Sequence, residues 1–270
     1  MFFKFFTGIT CCLILSNLYS SGNGLTPQTL LTGVPAIHRS MWSVMGNPAG
    51  FAEEKSFSAS SYYQSVFLLK QTSATGFVVV VPAGKVGNIG AVYRQFGYSL
   101  YKEQMASVAF SRTFGSVVSA AIRFDYLATR FGNEYGHSGA FTGSAGLIAR
   151  FTESLRLGVC VFNPQRTPLS GNSEERYPGI MQAGVSWSFG NQSELQFGVS
   201  KAVDAKPILQ CGIQYHVSER FHLHAGISNG YEPFSLGYSF RMGKLIIGMS
   251  SGYHYWLGFS PRFSITFKNN

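Results

Sequence analysis

The feature that most constrains the fold of this chain is an alternation of period two. From about Lys55 onward, short runs alternate large apolar residues with small or polar ones, and a turn closes each run. In "MQAGVSWSF" (181–189), "FHLHAGI" (221–227) and "LGFSPRFSITF" (257–267), the large apolar side chains all fall on one face. Because successive side chains of a strand point to opposite faces, this pattern predicts β-strands with one apolar face.

Composition separates a membrane barrel from a soluble sheet protein. Only 12% of the residues are charged, whereas 15% are aromatic; soluble domains carry about 25% charged residues. A soluble chain of this composition would expose too much apolar surface to stay monomeric. Beyond the N-terminal leader the sequence has no apolar run long enough for a helical membrane span. Strands of about 9–11 residues with one apolar face are typical of transmembrane β-barrels.

The spacing of the turns predicts the number of strands and favours a barrel over a β-sandwich. Every second connection is tight, as at "FGS", "TES" and "SER", whereas the two longest connections, "TRFGNEYGH" and "NPQRTPLSGNSEERYPG", fall in the other set. Outer-membrane barrels have short periplasmic turns, longer external loops and an even strand number. We therefore predict an all-β fold, a transmembrane antiparallel β-barrel of about 14 strands. The predicted strands are 55–65, 72–82, 86–97, 103–113, 116–128, 139–151, 154–163, 178–189, 193–203, 206–218, 220–228, 232–242, 244–254 and 256–267.

The N-terminal region is predicted to contain an export signal, followed by a plug segment that precedes the barrel. Residues 1–22 combine one early lysine, an apolar run and small residues at the end, which is the order of a cleaved signal peptide. We predict a signal peptide at 1–22, a short helical plug segment at 23–54 and an outer membrane β-barrel at 55–270. The predicted location is the bacterial outer membrane, reached through the periplasm, with outer membrane lipid as the surroundings.

The stretch "MGNPAGFAE" (45–53) is the most specific part of this N-terminal segment. Pro48 biases Asn47 away from helical backbone angles, and Gly50 permits a tight reversal. The motif is therefore predicted to end a short helical plug and to lead into the first strand. Asn47, Pro48, Ala49 and Gly50 are the candidate plug or gating motif.

The strand pattern places a set of ionisable residues on the inward face. A charge that faces lipid is expensive, so stability alone requires such residues to point into the lumen. The favoured interpretation is a hydrated, mildly cationic lumen with Asp125 as a local partner; the alternative is that the arginines attract an anionic solute such as a carboxylate. The lumen-lining candidates are Arg94, Arg123, Asp125, Arg150, Arg156, Arg241, Arg262, His216, His222 and His224.

The three histidines flank one tight turn and are close enough in sequence to share a metal. Metal sites usually add a carboxylate or thiolate, and the pattern places neither beside them. We therefore favour rim or lumen filling for His216, His222 and His224, with no metal and no cofactor. Cys160 is predicted to face inward and Cys211 outward, which excludes a disulfide between them.

Other function classes are disfavoured. The net charge is +9, but the basic residues are dispersed singly, which argues against nucleic-acid binding. The sequence has no phosphate loop, no dinucleotide fingerprint and no serine, histidine and acid in demonstrable register, so we predict no catalytic residue and no enzyme. A barrel-wall hydrolase remains the disfavoured enzymatic alternative.

Two blocks of sequence bring a family resemblance. "IHRSMWSVMGNPAGFAEEKSFSASSYY" resembles the entry region of FadL-type outer-membrane transporters and of their PorV/PorQ-type relatives from Bacteroidetes-like bacteria, and "LGVCVFNPQRTPLSGNSEERYPGIMQAGVSWSF" resembles a later strand, loop and strand of that family. The resemblance implies a fourteen-stranded barrel with an N-terminal plug; only Asn47, Pro48 and Ala49 match the plug motif residue by residue.

The same resemblance implies two possible activities and leaves a third reading open. FadL-type members take up long-chain fatty acids or other hydrophobic compounds, whereas PorV-type members bind exported proteins in type IX secretion. Hydrophobic small molecules or exported proteins are therefore the expected partners. A structural or scaffolding barrel without a transported solute is the other alternative, and the sequence predicts no oligomeric state.

Overall fold

The computed structural model describes residues 34–132, 137–168, 176–190, 192–230 and 232–269. The predicted signal peptide and residues 23–33 of the predicted plug lie outside these ranges. None of the helical turns in the described ranges has the length and apolar character of a membrane-crossing helix.

Fourteen antiparallel strands form one closed barrel in which each strand pairs with its sequence neighbours and β1 pairs with β14. This confirms the predicted fold class and strand number, with the predicted boundaries within a few residues of the observed ones. The strands are β1 Ser58–Ser65, β2 Ser73–Pro82, β3 Asn88–Tyr98, β4 Tyr101–Phe114, β5 Val118–Phe131, β6 His137–Arg150, β7 Leu155–Phe162, β8 Ile180–Phe189, β9 Ser193–Ala202, β10 Ile208–His216, β11 Phe221–Ser228, β12 Phe234–Met242, β13 Leu245–His254 and β14 Gly258–Lys268.

The outer face of the barrel is apolar over most of its strands. Phe141, Leu236 and Ile265 are at least 60% exposed, and many other large apolar side chains of the strands point the same way. An apolar belt of this extent is unfavourable in water and favourable in lipid, as in membrane-spanning barrels. Arg112 and Lys201 also face outward, and each lies close to an end of its strand, where a long charged side chain can reach the polar edge of a bilayer.

The two rims of the barrel differ. At one rim, which we call the tight-turn rim, short connections join β2 to β3, β4 to β5 and every second pair after them as far as β12 and β13. The other rim, the loop rim, has the two longest connections, β1–β2 and β7–β8, and residues of both fold back toward the lumen. The side chain of Tyr177, from the β7–β8 connection, is 3% exposed, and its hydroxyl lies 2.9 Å from the Thr129 hydroxyl. Val66, from the β1–β2 connection, is also buried.

Residues 34–54, which we call the luminal segment, run inside the barrel before the chain enters β1. They form three short 3₁₀ turns, Pro35–Ile37, Met41–Met45 and Pro48–Phe51, whose residues are all buried. The turns contact the inner faces of β2 to β9. Since the segment lies toward the tight-turn rim, it closes much of the lumen at that end.

The lumen has two unlike halves. In the half formed by β2 to β6, the packed half, apolar wall residues and apolar residues of the luminal segment form one core that includes Trp42, Phe51, Val78, Val92 and Leu127. In the half formed by β10 to β14, the open half, the buried wall residues are mainly polar, among them Gln210, His224, Ser250, Arg262 and Ser264. The luminal segment is thus packed against one side of the barrel.

Candidate functional site: the luminal segment and its contacts with the wall

Asn47 lies at the centre of the luminal segment and is fully buried. Its side-chain Nδ2 donates to the carbonyl oxygen of Ala36 at 2.5 Å and to the wall carbonyls of Leu147 at 3.3 Å and Val159 at 3.2 Å. Its Oδ1 accepts a hydrogen bond of 3.1 Å from the backbone N–H of Ala49. One amide therefore joins two parts of the segment to strands β6 and β7.

The backbone role of the Asn-Pro-Ala-Gly motif differs from the expected one. The motif starts a 3₁₀ turn: Asn47 is its N-cap and Pro48 its first residue. Pro48 suits that position because its fixed φ angle is already helical and its missing N–H needs no partner there. Gly50 makes no reversal; a Cβ there would lie 2.0 Å from the carbonyl oxygen of His38. The glycine is required for close packing between two parts of the segment.

Arg123 and Asp125 of β5 form a buried ion pair that also holds the luminal segment. The Arg123 Nε lies 2.8 Å from Asp125 Oδ1, and both side chains are almost completely buried. The Arg123 guanidinium donates to the backbone oxygen of Val44 at 2.6 Å, while Asp125 accepts from the hydroxyls of Ser107 and Ser144. A buried charge pair is tolerated when its remaining hydrogen-bonding groups are satisfied in this way.

Asn88, the first residue of β3, anchors the end of the segment. Its Nδ2 lies within hydrogen-bonding distance of the backbone oxygens of Phe51 at 2.8 Å, Ala52 at 3.0 Å and Glu54 at 2.9 Å. Buried carbonyl groups need such partners because they have lost water. Together, Asn47, Arg123 and Asn88 bind the segment at three separated places.

Five glycines of the wall, which we call the glycine seat, allow the segment to approach the strands. A Cβ on Gly146 would lie 2.0 Å from Asn47 Oδ1, and one on Gly158 would lie 2.2 Å from the carbonyl oxygen of Ala36. Distances below 3.0 Å are not found for real Cβ atoms, so any larger residue would displace the segment or the wall. The members of the seat are Gly90, Gly146, Gly158, Gly184 and Gly198.

Two titratable residues of the segment have shifted pKa values. Burial, with the nearby charges of Arg39 and His224, lowers the pKa of His38 to about 3, so its imidazole is neutral near pH 7. A His38 ring nitrogen lies 2.7 Å from the Ser40 hydroxyl. For Glu53, burial alone would raise the pKa, but the hydrogen bond from Arg150 and the charges of Arg39 and Arg150 outweigh it and lower the pKa.

Of the remaining arginines predicted to line the lumen, Arg150 and Arg156 lie opposite each other on β6 and β7, and the others lie apart from them. Arg150 contacts Glu53 at 2.7 Å at the tight-turn rim, and Arg156 is half-buried at the same rim. Arg262 is fully buried and forms an ion pair with Glu232 of the β11–β12 connection. Arg94 is half-buried on β3, and Arg241 lies on β12 beside a cavity at the tight-turn rim. The structure does not bring the arginines into one cluster.

The three histidines are only partly brought together. His216 is exposed, and its ring centroid lies 4.5 Å from that of the half-buried His222. His224 is buried deeper in the lumen, where a Cβ on Gly237 would lie 2.1 Å from its Nε2. Within the described ranges, no group of three or more histidine, cysteine or acidic side chains is placed to hold a metal ion. Cys160 and Cys211 are both free thiols, buried and half-buried respectively.

Several contributors to the site carried no sequence signal that we recognised. Asn88 follows a turn in which an asparagine is unremarkable, and Glu232 lies in a connection far from Arg262 in sequence. His38 precedes the Asn-Pro-Ala-Gly motif and belongs to no sequence pattern that predicts its burial. The glycine seat had a weak signal, since an inward glycine within a strand marks a place where another backbone approaches closely.

A closed fourteen-stranded barrel whose lumen holds an N-terminal segment defines a class of membrane barrel, and solved structures share this fold. The monoaromatic hydrocarbon channel CymD aligns with a TM-score of 0.65 at 12% identity, over 91% of this chain and 97% of that chain. The Pseudomonas putida toluene transporter TodX aligns with a TM-score of 0.62 at 10% identity, over 88% and 95%.

A Pseudomonas aeruginosa FadL homologue likewise aligns with a TM-score of 0.62 at 10% identity, over 90% of this chain and 97% of that chain. At these identities the likeness establishes a shared FadL-type fold. No protein-family profile and no curated protein sequence matches the chain.

Proposed function

We propose that this chain is an integral β-barrel of the bacterial outer membrane that lets small hydrophobic compounds pass, with the luminal segment as its gate. The observation that carries the proposal is the attachment of the segment to the wall. Asn47 of the segment donates to backbone oxygens of the wall, Asn88 and Arg123 of the wall donate to backbone oxygens of the segment, and the glycine seat allows the close approach. Because these polar contacts join the segment to the wall at defined points, loss of them would free the segment to move within the lumen.

The lining of the lumen supports hydrophobic compounds as the solutes. The packed half presents valine, alanine, methionine and leucine side chains beside the segment. Ligand sites for such compounds are mostly apolar with few polar groups. Barrels of the same fold include a monoaromatic hydrocarbon channel and toluene transporters. These compounds are therefore the first solutes to test.

The secretion-linked alternative depends on the long β7–β8 connection as a contact surface. Residues 169–175 of that connection lie outside the described ranges, and its base is turned inward by Asn163, which donates to the carbonyl oxygen of Tyr177 at 2.8 Å. No described contact favours binding of exported proteins or a purely scaffolding role over passage. Passage of small hydrophobic compounds is therefore the function that we propose.

The test is uptake of radiolabelled toluene by bacteria that carry the barrel in an outer membrane otherwise resistant to hydrocarbons. We expect uptake above that of cells without the barrel. Asn47→Ala removes the four hydrogen bonds of that side chain and should raise uptake several-fold, because buried hydrogen bonds contribute about 1 kcal/mol each.

Asn229→Ala is the matched control. Asn229 lies in the β11–β12 connection, where its side chain bonds backbone groups of Leu209 and Pro207 away from the luminal segment. Uptake should be unchanged in this variant. If cells with the wild-type barrel took up no more toluene than cells without it, passage of such compounds would be refuted; equal uptake by wild-type and Asn47→Ala barrels would refute the gate.

A further inference from the structure

A cavity lies beside the luminal segment at the tight-turn rim of the open half, and we call it the vestibule. Its volume is about 290 Å³, and it lies between residues 38–42 of the segment and the inner faces of β10 to β14. A volume at the lower end of the range of ligand pockets suits a compound of about one ring with a substituent.

Positive charge dominates the lining of the vestibule. Arg39, Arg241 and Lys268 line it, whereas Glu54 is its acidic lining residue. Glu54 is already bound to Lys268, with 2.7 Å between carboxylate and ammonium. Arg39 is shared between Glu53 at 3.5 Å and Glu194 at 3.4 Å. These three basic side chains therefore differ in how far their charges are compensated.

Arg241 is the uncompensated charge. Among the described residues it forms no ion pair, whereas the buried Arg123 and Arg262 each contact a carboxylate. Its neighbour in the vestibule is His222, another potential hydrogen-bond donor. A guanidinium presents a planar set of donors that matches the two oxygens of a carboxylate.

The rest of the lining suits the body of a small organic compound. Met41 and Trp42 of the luminal segment, together with Ile246 of β13, supply apolar surface, and the hydroxyls of Ser239 and Ser264 supply further polar contacts. The space thus combines one uncompensated cation with an apolar wall. This combination selects against a bare inorganic anion and against a neutral hydrocarbon.

We propose that the vestibule is a binding site for a small organic carboxylate, with the carboxylate at Arg241 and the apolar body against Met41 and Trp42. The site is separate from the packed half of the lumen, and binding there does not require that hydrophobic compounds pass through the barrel. It is therefore tested by binding to the purified protein, so that its failure and the failure of the passage proposal are distinguishable.

The experiment is isothermal titration of the full-length barrel in detergent with benzoate, benzamide and inorganic phosphate. Benzoate should bind at least about tenfold more tightly than either benzamide, which lacks the charge, or phosphate, which lacks the ring, because a charge-assisted hydrogen bond contributes about one to two orders of magnitude to affinity. Arg241→Gln should weaken benzoate binding about tenfold or more, and Arg241→Lys by less. Higher ionic strength should also weaken it.

Arg220→Gln is the matched control, since Arg220 is an exposed arginine at the same rim that does not line the vestibule. It should leave benzoate affinity unchanged. Circular dichroism and the heat-dependent gel shift of the barrel show that each variant is folded. Equal affinity of the wild type for benzoate and benzamide, equal affinity for phosphate, or unchanged benzoate binding by folded Arg241→Gln would each overturn the proposal.

Discussion

Each half of the lumen contains an inward arginine, but the two arginines, Arg123 and Arg241, act differently. In the packed half, the charge of Arg123 is bound to Asp125 and to a backbone oxygen of the luminal segment, so the ion pair fixes the segment in place. In the open half, Arg241 faces a cavity and forms no ion pair among the described residues. An inward arginine therefore either stabilises the packing of the lumen or is available to bind a ligand, depending on what packs against it.

The largest expected effect is on stability, and it comes from removing the arginine of the ion pair in the packed half. Arg123→Met should lower the free energy of unfolding by about 3–5 kcal/mol, because it leaves the Asp125 carboxylate buried without its partner. Arg241→Met in the open half should cost less than about 1 kcal/mol, since no ion pair is lost. Urea unfolding of both variants in lipid or detergent measures the difference.

The double variant Arg123→Met with Asp125→Leu serves as the control for this measurement. It removes both charges and should recover a large part of the lost stability, since an apolar pair of similar size is often as stable as a buried ion pair. Equal losses for the Arg123→Met and Arg241→Met variants would contradict the difference between the two halves.

The second prediction concerns the border between the halves, where His38 is buried beside His224. The pKa of His38 is about 3 in the folded protein and near 6.5 in an unfolded chain. Below pH 6.5 the unfolded chain therefore binds a proton that the folded protein does not, and stability falls as the pH drops toward 3. The expected loss is about 1.4 kcal/mol per pH unit at most.

Urea unfolding between pH 7 and pH 5 tests this contribution, because Glu53, whose lowered pKa acts in the same direction, titrates only at lower pH. His38→Gln retains a polar group near Ser40 and should flatten the profile. Asn229→Ala, which changes no titratable group and lies away from the luminal segment, should leave it unchanged. A profile that is equally steep in wild type and His38→Gln would contradict the role of His38.

The third prediction tests the glycine seat of the wall. Gly146→Val would place side-chain atoms where Asn47 lies, and overpacking of this kind costs about 1–3 kcal/mol. It should also loosen the luminal segment and increase ion conductance through the barrel in planar bilayers. Gly143→Val is the control on the same strand, because a Cβ there would meet only the carbonyl oxygen of Arg123, at an ordinary 3.5 Å. Equal conductance for both variants would show that the segment does not depend on the seat.

Much of the wall could be predicted from the sequence. The alternation in "LGFSPRFSITF" identified Phe259, Phe263 and Phe267 as outward, and all three are exposed on the apolar belt. This was possible because the direction of a strand side chain is set by its position in the strand. The positions of the turns could also be predicted, because a turn depends on a few adjacent residues.

The luminal contacts could not be predicted in the same way. The extended backbone of Asn47 before Pro48 agrees with the prediction, but the reason for Gly50 could not be predicted, because the carbonyl of His38 approaches it through folding of the segment on itself. Asp125 was proposed as a local partner, yet nothing in the sequence distinguished Arg123 from Arg241. Glu232, which pairs with Arg262, comes from a connection whose path into the lumen depends on the whole barrel.

The sequence by itself determined the barrel: the strand number, the apolar outer face and the alternation of inward and outward side chains all follow from local period-two patterning and turn spacing. The tertiary structure alone decided which inward groups meet. Lumen contacts join residues about a hundred positions apart, such as Asn47 and Val159, so they depend on strand register and on the path of the luminal segment. For that reason the packed half and the open half could be told apart only in the folded protein.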